Sequence, residues 1–233
     1  EKGGRRCPMA TSGAKSCPCS NASTGRSERH RRADPMPEFF AHPTALVESS
    51  SVGAGTRIWA FAHIMRGASI GPDCNIGDHA FIEGGVVMGR GVTVKNGVCL
   101  WDGVTVEDYA FIGPCAVFTN DLRPRSPRSP ASEGRYMERA WLVETRVREG
   151  ASIGANATIR CGVTLGRYCM VGAGSVVTRD VPAFTLVVGN PAKSQGRIDK
   201  AGRTLKRAGQ KWIEPGTGRA YRFRGDDLLE CDA

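Results

Sequence analysis

Long apolar stretches are missing from this chain of 233 residues. No window of about 18 consecutive apolar residues occurs, which excludes a transmembrane helix. The first residues also have no apolar core of the kind that a signal peptide requires. We therefore expect a soluble, cytoplasmic protein that does not bind a membrane.

Metal-ligand spacings are missing as well, although the chain contains nine cysteines. Cys17 and Cys19 form only a C-x-C, which is too weak a pattern to predict a metal site. Cys74 and Cys169 fall at regularly spaced small positions that belong to the repeat described below. We interpret the cysteines as reduced packing residues and expect no bound metal.

More than half of the net positive charge lies at one end of the chain. The net charge is +9, and residues 1–37 alone contain eight Lys or Arg and three acids, which leaves +4 for the remainder. This stretch is rich in Gly, Ser and Arg and has no apolar period, so we interpret residues 1–37 as a disordered basic tail. Aromatic residues are not interleaved with its charges, which favours a solvated tail over a nucleic-acid-binding one.

The chain does contain a strict six-residue period. Every sixth position from Leu46 to Phe118 is apolar, and the positions four residues later, from Ser50 to Ala116, are small or aliphatic. The same register resumes from Val147 to Val177, with Trp141 one hexad before it. So regular a pattern indicates a structural repeat.

A period of six fits neither a helix nor a single strand, because their side chains recur about every 3.6 and 2 residues. It fits short strands separated by repeated corners, with three hexads to each triangular coil. Successive coils would stack as parallel strands roughly 4.8 Å apart. The sequence therefore predicts an all-β fold, a parallel β-helix with the large aliphatic row inside and the small row at the corners.

Two segments depart from the six-residue period. The stretch Thr119 to Ala140 is rich in Arg, Pro and Ser, and we predict that it leaves the solenoid as a functional loop, residues 119–140. The period ends after Pro191, and Lys211 to Arg224 is typical of a hairpin, which we expect to cap the last coil. These boundaries predict a β-helix domain over 38–193 and an extension over 194–233.

Several motifs resemble those of the bacterial nucleotide-sugar N-acetyltransferases of the left-handed β-helix class. They are Phe81-Ile82-Glu83, Lys95-Asn96-Gly97-Val98, Trp101-Asp102-Gly103-Val104 and Phe118 to Ser126, followed after the loop by Gly150 to Ile159, Val171 to Thr178 and Val188 to Lys193. The resemblance covers roughly residues 42–193. It implies left-handed coiling, acetyl-CoA as co-substrate, and a homotrimer with its sites between subunits.

The chain is most similar to the enzymes that acetylate the 3-amino group of a UDP-linked 2-acetamido-3-amino-2,3-dideoxyglucuronate, an intermediate for O-antigen sugars. Trp212, residues 215–218 and Tyr221 echo the tail of that group. Close relatives instead acetylate a dTDP-3-amino-3,6-dideoxyhexose, and this alternative stays open. A γ-type carbonic anhydrase would need three zinc-binding His, whereas His63 and His79 lack the close pair. A non-catalytic hexapeptide scaffold is the third alternative.

The resemblance points to Asn96 as a catalytic anchor at a corner. Its amide can hold the sugar or an ordered water but cannot act as a general base. Asn96 lies one coil after Asp78 and one coil before Pro114, so the three should stack, with His79 beside them. Proton removal could fall to water or to the departing thiolate, and a lone His in a solenoid is more often a structural residue. Of the histidines, His79 is a better candidate base than His63. Asn is also common at corners simply because it tolerates tight turns.

Ligand-binding candidates also follow from the resemblance. For the sugar nucleotide they are Glu83, Lys95, Trp101, Asn120 and Arg125. Glu83 suits hydroxyl groups, whereas Lys95 or Arg125 suits a carboxylate or diphosphate. For coenzyme A they are Gly154, Ala155, Ala173, Thr178, Arg179 and Lys193. The small residues would admit the pantetheine arm and the two cations would face phosphates, although Gly and Ala also serve as plain corner residues.

Overall fold

The computed structural model describes residues 39–231, and most of these residues form a three-sided prism of very short strands. In chain order the strands of the prism are β1 (Phe40–Ala41), β2 (Leu46–Val47), β3 (Ser51–Val52), β4 (Arg57–Ile58), β5 (His63–Ile64), β6 (Ser69–Ile70), β7 (Asn75–Ile76), β8 (Phe81–Ile82), β9 (Val87–Met88), β10 (Thr93–Val94), β11 (Cys99–Leu100), β12 (Val104–Val106), β13 (Phe111–Ile112), β14 (Val117–Phe118), β15 (Thr145–Val147), β16 (Ser152–Ile153), β17 (Thr158–Ile159), β18 (Thr164–Leu165), β19 (Met170–Val171), β20 (Val176–Val177) and β21 (Thr185–Val188). The predicted tail, residues 1–37, lies outside the described residues.

Every third strand belongs to the same parallel sheet. Sheet A begins β1-β4-β7-β10-β13-β16-β19-β21, sheet B is β2-β5-β8-β11-β14-β17-β20, and sheet C is β3-β6-β9-β12-β15-β18. Ile58 pairs with Ile76, and Val94 with Ile112, so partners lie one coil of three hexads apart. The predicted left-handed β-helix is confirmed. We call the turns that join the sheets corner AB, corner BC and corner CA.

The apolar row fills the interior of the prism as predicted. Ile58, Ile64, Ile76, Leu100 and Ile112 are each 0% exposed. The small row is buried behind the corners, where Cys74 and Cys169 are 1% exposed and unpaired. Burial raises the pKa of the Cys169 thiol to about 12, which keeps it protonated and agrees with a packing role.

The first coil departs by one residue from the positions that the six-residue period predicts. Leu46 is 53% exposed, and it is Val47 that pairs with Ile64 in the inward row. Ser49, rather than Ser50, takes the corner position, and its hydroxyl donates to the Ala68 carbonyl at 2.7 Å. The expectation for Leu46 and Ser50 was wrong because both residues of Leu46-Val47 are apolar, so spacing alone could not tell which one points inward.

The predicted loop leaves the prism at corner BC. Val117 pairs with Thr158, forty-one residues further on, whereas Cys99 pairs with Val117 at the usual eighteen, so the loop adds twenty-three residues. It runs over residues 119–144 and contains 3-10 turns at Pro130–Ser132 and Arg139–Trp141. Trp141 therefore belongs to the loop and not to the prism.

The C-terminal extension is larger than the predicted hairpin. Five antiparallel strands continue sheet A, namely β22 (Lys193–Ile198), β23 (Thr204–Ala208), β24 (Lys211–Ile213), β25 (Ala220–Arg224) and β26 (Asp227–Cys231). The predicted hairpin is the β24–β25 pair. Phe223 meets Phe184 of the last coil with ring centroids 6.1 Å apart, so the extension packs on the prism. Within residues 39–231 no helix is long and apolar enough to cross a lipid bilayer.

Candidate active site

Corner AB carries the proposed catalytic asparagine. Asp78, Asn96 and Pro114 occupy the first position of successive turns there, which is the column that the spacing predicts. The Asn96 amide nitrogen donates to Asp78 Oδ2 at 3.4 Å. The amide oxygen lies above Gly77, where a Cβ would come within 2.4 Å of it. Gly77 therefore leaves the space in which the Asn96 side chain rests.

His79 follows Asp78 in the same turn. Its backbone is left-handed, with φ of 57°, and its ring stacks on Phe61 with centroids 5.0 Å apart and 15° between the planes. Neither ring nitrogen has a hydrogen-bond partner among residues 39–231. His63, in contrast, lies with Nε2 3.3 Å from Glu48 Oε1. His79 is thus the histidine at this corner whose nitrogens are free to exchange a proton.

Three predicted sugar-binding side chains lie at the next corner, BC. The Glu83 carboxylate accepts a hydrogen bond from the Asp102 backbone N–H at 2.8 Å. The Trp101 indole donates to the Phe118 carbonyl at 3.0 Å, and the Asn120 amide donates to the Asp102 carbonyl at 3.4 Å. Glu83, Trp101 and Asn120 therefore fix the place where the loop leaves the prism. Lys95, which is exposed, stays with Asn96 at corner AB.

A buried carboxylate that the sequence did not single out organises the loop. The Asp121 side chain is 8% exposed and accepts from Arg135 Nη2 at 2.5 Å and from the Arg123 backbone N–H at 2.7 Å. The Tyr136 hydroxyl lies 3.1 Å from Asp121 Oδ2 and 2.8 Å from the Arg125 carbonyl. We call Asp121, Arg135 and Tyr136 the loop hub. The hub holds the segment that carries the predicted Arg125.

The hub sets the protonation state of its carboxylate. Desolvation raises the pKa of Asp121, but the hydrogen bonds from Arg135, the Arg123 N–H and Tyr136 together outweigh it, and the pKa lies below its ordinary value. Asp121 is therefore ionised at neutral pH. Its partners Arg135 and Tyr136 follow fourteen and fifteen residues later in the chain. The sequence could not predict these contacts, because no motif spacing links residues so far apart in an irregular segment. Of the three, only Asp121 lies in a motif that the sequence analysis identified.

The predicted coenzyme A residues lie along the last coils. Gly154, Ala155 and Ala173 are at corner AB, Thr178 and Arg179 are at corner BC, and Lys193 begins β22. Gly154 stacks so closely on the next coil that a Cβ would meet the Ala173 nitrogen at 2.4 Å. The stacking of the coils therefore already accounts for this glycine. Arg179 and Lys193 are exposed, as cations that face a phosphate must be.

Apart from Lys193, which begins β22 of sheet A, the predicted residues belong to the two borders of sheet B or to the loop that leaves one of them. The outward face of that sheet, between corner AB and corner BC, carries Leu46, His63, Phe81, Cys99, Val117, Thr158 and Val176. Three surface hollows on the described residues are lined instead by sheet C and by the C-terminal extension. None of the predicted site residues lines these hollows. One chain therefore presents the two halves of the predicted site on either side of a flat, largely apolar face.

Comparisons with known proteins agree with this architecture. Residues 49–84 and 144–179 match the family described as bacterial transferase hexapeptide (six repeats). The chain is 52% identical over 167 residues to a protein of Aneurinibacillus thermoaerophilus named dTDP-3-amino-3,6-dideoxy-alpha-D-galactopyranose 3-N-acetyltransferase, covering 72% of this chain and 82% of that relative. The chain belongs to the hexapeptide-repeat N-acetyltransferases. This membership decides against the carbonic anhydrase and the non-catalytic scaffold.

This chain also matches more distant proteins, over only part of their length. It is 30% identical over 152 residues to the bifunctional protein GlmU of Nitratidesulfovibrio vulgaris, covering 63% of this chain and only 32% of that relative. A solved structure of a mutant perosamine N-acetyltransferase from Caulobacter crescentus, in complex with CoA and GDP-perosamine, is 25% identical with a TM-score of 0.35. That match covers 69% of this chain and 54% of the other.

Proposed function

We propose that this enzyme transfers the acetyl group of acetyl-CoA to the 3-amino group of a dTDP-linked 3-amino-3,6-dideoxyhexose. The observation that carries the proposal is the 52% identity, over 82% of its length, to a relative named for that reaction. Of the two substrates that the sequence left open, this similarity favours the dTDP-linked one. The UDP-linked uronate then becomes the comparison substrate.

The proposed reaction requires a positioned amine and an acceptor for its proton. Acetyl-CoA, when bound, supplies the acetyl group as an activated thioester. The Asn96 amide, held by Asp78 and resting over Gly77, orients the amino sugar at corner AB. His79, one turn position from Asp78 and with free ring nitrogens, takes up the proton that the attacking amine loses.

The last coils offer room for the coenzyme. A Cβ built at Gly174 would have no heavy atom within 4 Å, so corner AB is open to an extended pantetheine arm beside Ala155 and Ala173. Arg179 and Lys193 are exposed cations suited to its phosphates. Ala155, Ala173, Arg179 and Lys193 would hold the coenzyme, which would supply its activated acetyl group to an amine bound at Asn96.

The active enzyme in this proposal is a homotrimer. Asn96 and Glu83 lie on opposite borders of sheet B, so one chain does not enclose a substrate between them. If sheet B of each copy is covered by its neighbour, corner AB of one subunit meets corner BC of the next. Three such head-to-tail contacts close a ring with three equivalent sites. The exposed apolar side chains of this face, such as Leu46 and Val117, support that packing.

Two matched variants test the trimer. Val117 on sheet B and Val87 on sheet C are 49% and 47% exposed and hold the same position in their hexads. Val117→Glu is expected to give monomers and lose acetyl transfer, whereas Val87→Glu should leave both unchanged. Sedimentation velocity and a thiol-release assay measure the two outcomes. A fully active Val117→Glu monomer would refute a site shared between subunits.

The substrate is tested with a panel of nucleotide-linked 3-amino sugars. Purified enzyme is incubated with acetyl-CoA and either dTDP-3-amino-3,6-dideoxygalactose, its gluco epimer or the UDP-linked uronate, and the acetylated product is measured by mass spectrometry. We expect acetylation of a dTDP sugar at a kcat/KM at least tenfold above that of the UDP sugar, a preference of about 1.4 kcal/mol. A preference for the UDP sugar would overturn the assignment.

Single substitutions test the two catalytic residues. Asn96→Ala should lower kcat by about 100-fold without changing the sedimentation of the enzyme, because the amine loses its anchor. His79→Gln should likewise lower kcat by about 100-fold, because the attacking amine loses its proton acceptor. Unchanged turnover in Asn96→Ala would remove that residue from the site.

A further inference from the structure

Three arginines stand unpaired on the outside of the loop. Arg123, Arg125 and Arg128 are exposed, and within residues 39–231 none of them forms an ion pair. The only side-chain hydrogen bond among them joins Arg125 Nη1 to the Pro124 carbonyl at 2.9 Å. Three positive charges therefore lie within six residues without an acidic partner in the described part of the chain.

The backbone beneath these charges is held firmly. The Tyr136 hydroxyl accepts the Arg125 backbone N–H at 3.0 Å and lies 2.8 Å from the carbonyl of the same residue. Asp121 Oδ1 accepts the Arg123 backbone N–H at 2.7 Å. Both peptide groups are thus fixed by the loop hub rather than by regular secondary structure.

The hub is itself attached to the prism. The Tyr136 ring packs edge-on against Trp141, with centroids 5.4 Å apart. Arg139, in the same 3-10 turn as Trp141, pairs with Asp102 Oδ2 of corner BC at 2.6 Å. The arginine segment is consequently carried at a defined place beside the border of sheet B where Glu83 and Trp101 lie.

An exposed segment that only connected two strands would not need its backbone held by the loop hub and tied to corner BC. Side chains on an ordered backbone lose less conformational entropy when an anion binds than those on an unordered one. Guanidinium groups also match phosphate oxygens in paired hydrogen bonds. We propose that Arg123, Arg125 and Arg128 form a binding surface for a diphosphate ester, with Tyr136 as the positioning residue that holds Arg125. This inference rests on the proposed function, since that reaction involves two diphosphate esters.

The two sources of a diphosphate are the nucleotide sugar and coenzyme A. Titration calorimetry with dTDP alone and with CoA alone distinguishes them, and neither measurement depends on which amino sugar is acetylated. Arg123→Ala, Arg125→Ala and Arg128→Ala should each weaken one of the two ligands by about tenfold and leave the other unchanged. Arg222→Ala, an exposed arginine of β25, is the matched control and should bind both ligands normally.

Tyr136→Phe tests positioning separately from charge. It removes the hydroxyl but keeps the ring on Trp141, so we expect an affinity loss of about tenfold for the same ligand. For that substrate KM should rise with kcat changed less than twofold, and the thermal midpoint should not move. Tyr109→Phe, whose hydroxyl has no hydrogen bond among the described residues, is the control.

Several outcomes would overturn the inference. They are undiminished affinity for both ligands in the arginine variants, unchanged affinity in Tyr136→Phe, and failure of the wild-type enzyme to bind either dTDP or CoA. If the amino-sugar panel shows no acetylation but the arginine variants lose dTDP binding, the proposed function fails and the diphosphate surface stands.

Discussion

The prism and the loop hold their backbones in different ways. In the prism, aliphatic side chains such as Ile112 stack between equivalent residues of the coils above and below, and each is fully buried. In the loop, residues 119–144, the stabilising contacts centre on one ionised carboxylate with its arginine and tyrosine. Apolar burial does not depend on pH, whereas the ionised loop hub does, so the stability of the loop should depend on pH more strongly than that of the prism interior.

The largest expected effect comes from removing apolar volume inside the prism. Ile112→Ala should lower the free energy of unfolding by about 2–5 kcal/mol, because the coils can collapse little around the cavity. Chemical denaturation monitored by circular dichroism measures the change. Val87→Ala, at an outward position of sheet C that is 47% exposed, should lower the free energy of unfolding by less than about 1 kcal/mol. Equal costs would mean that the inward row does not dominate the stability of the prism.

A smaller difference is expected when a methyl group is added to one glycine in each region. Gly154→Ala would place a Cβ 2.4 Å from the Ala173 nitrogen, whereas at Gly134 in the loop nothing lies within 4 Å and the cost arises from φ of +76°. In denaturant melts we expect the free energy of unfolding to fall by about 3 kcal/mol in Gly154→Ala and by about 1 kcal/mol in Gly134→Ala. The reverse order would contradict the tight stacking of the coils.

The loop hub should respond to acid more strongly than the apolar interior of the prism does. Because the folded pKa of Asp121 lies below its ordinary value, ionisation stabilises the loop at all pH values above the unfolded pKa, about 3.9, and this contribution is lost as pH falls through the folded value. Hydrogen exchange should therefore show loss of protection in residues 119–144 below about pH 4. Protection of the prism strands should persist over the same range.

Asp121→Asn should produce the same loop opening at neutral pH. Exchange rates of the loop amides should rise by about tenfold, with the global unfolding midpoint changed little. The control is Asp73→Asn, because Asp73 also pairs with an arginine, Arg90, at 2.7 Å, but with 58% of its side chain exposed. Asp73→Asn should change the free energy of unfolding by less than about 0.5 kcal/mol, the smallest effect of all. A larger effect at Asp73 would remove the distinction between the two regions.

The sequence predicted the prism well and the site unevenly. The coil, its sheets and the column of Asp78, Asn96 and Pro114 all follow from spacing, because each hexad places an apolar and a small residue at the same positions of a strand and a corner. Spacing did not distinguish Leu46 from Val47 as the inward residue, because both are apolar and the first coil has only one neighbour to enforce the register. The strands of residues 194–210 were missed because charged residues conceal their alternation.

What the sequence determined by itself is the solenoid and the point at which the loop interrupts it, because periodic side chains specify strands and corners locally. Only the tertiary structure decided that Asp121 meets Arg135 and Tyr136, and that Glu83, Trp101 and Asn120 secure the root of the loop. The physical reason is that these contacts join residues of different coils or of an irregular segment. Whether these side chains contact one another depends on the tertiary path of the chain, and the six-residue repeat does not specify that path.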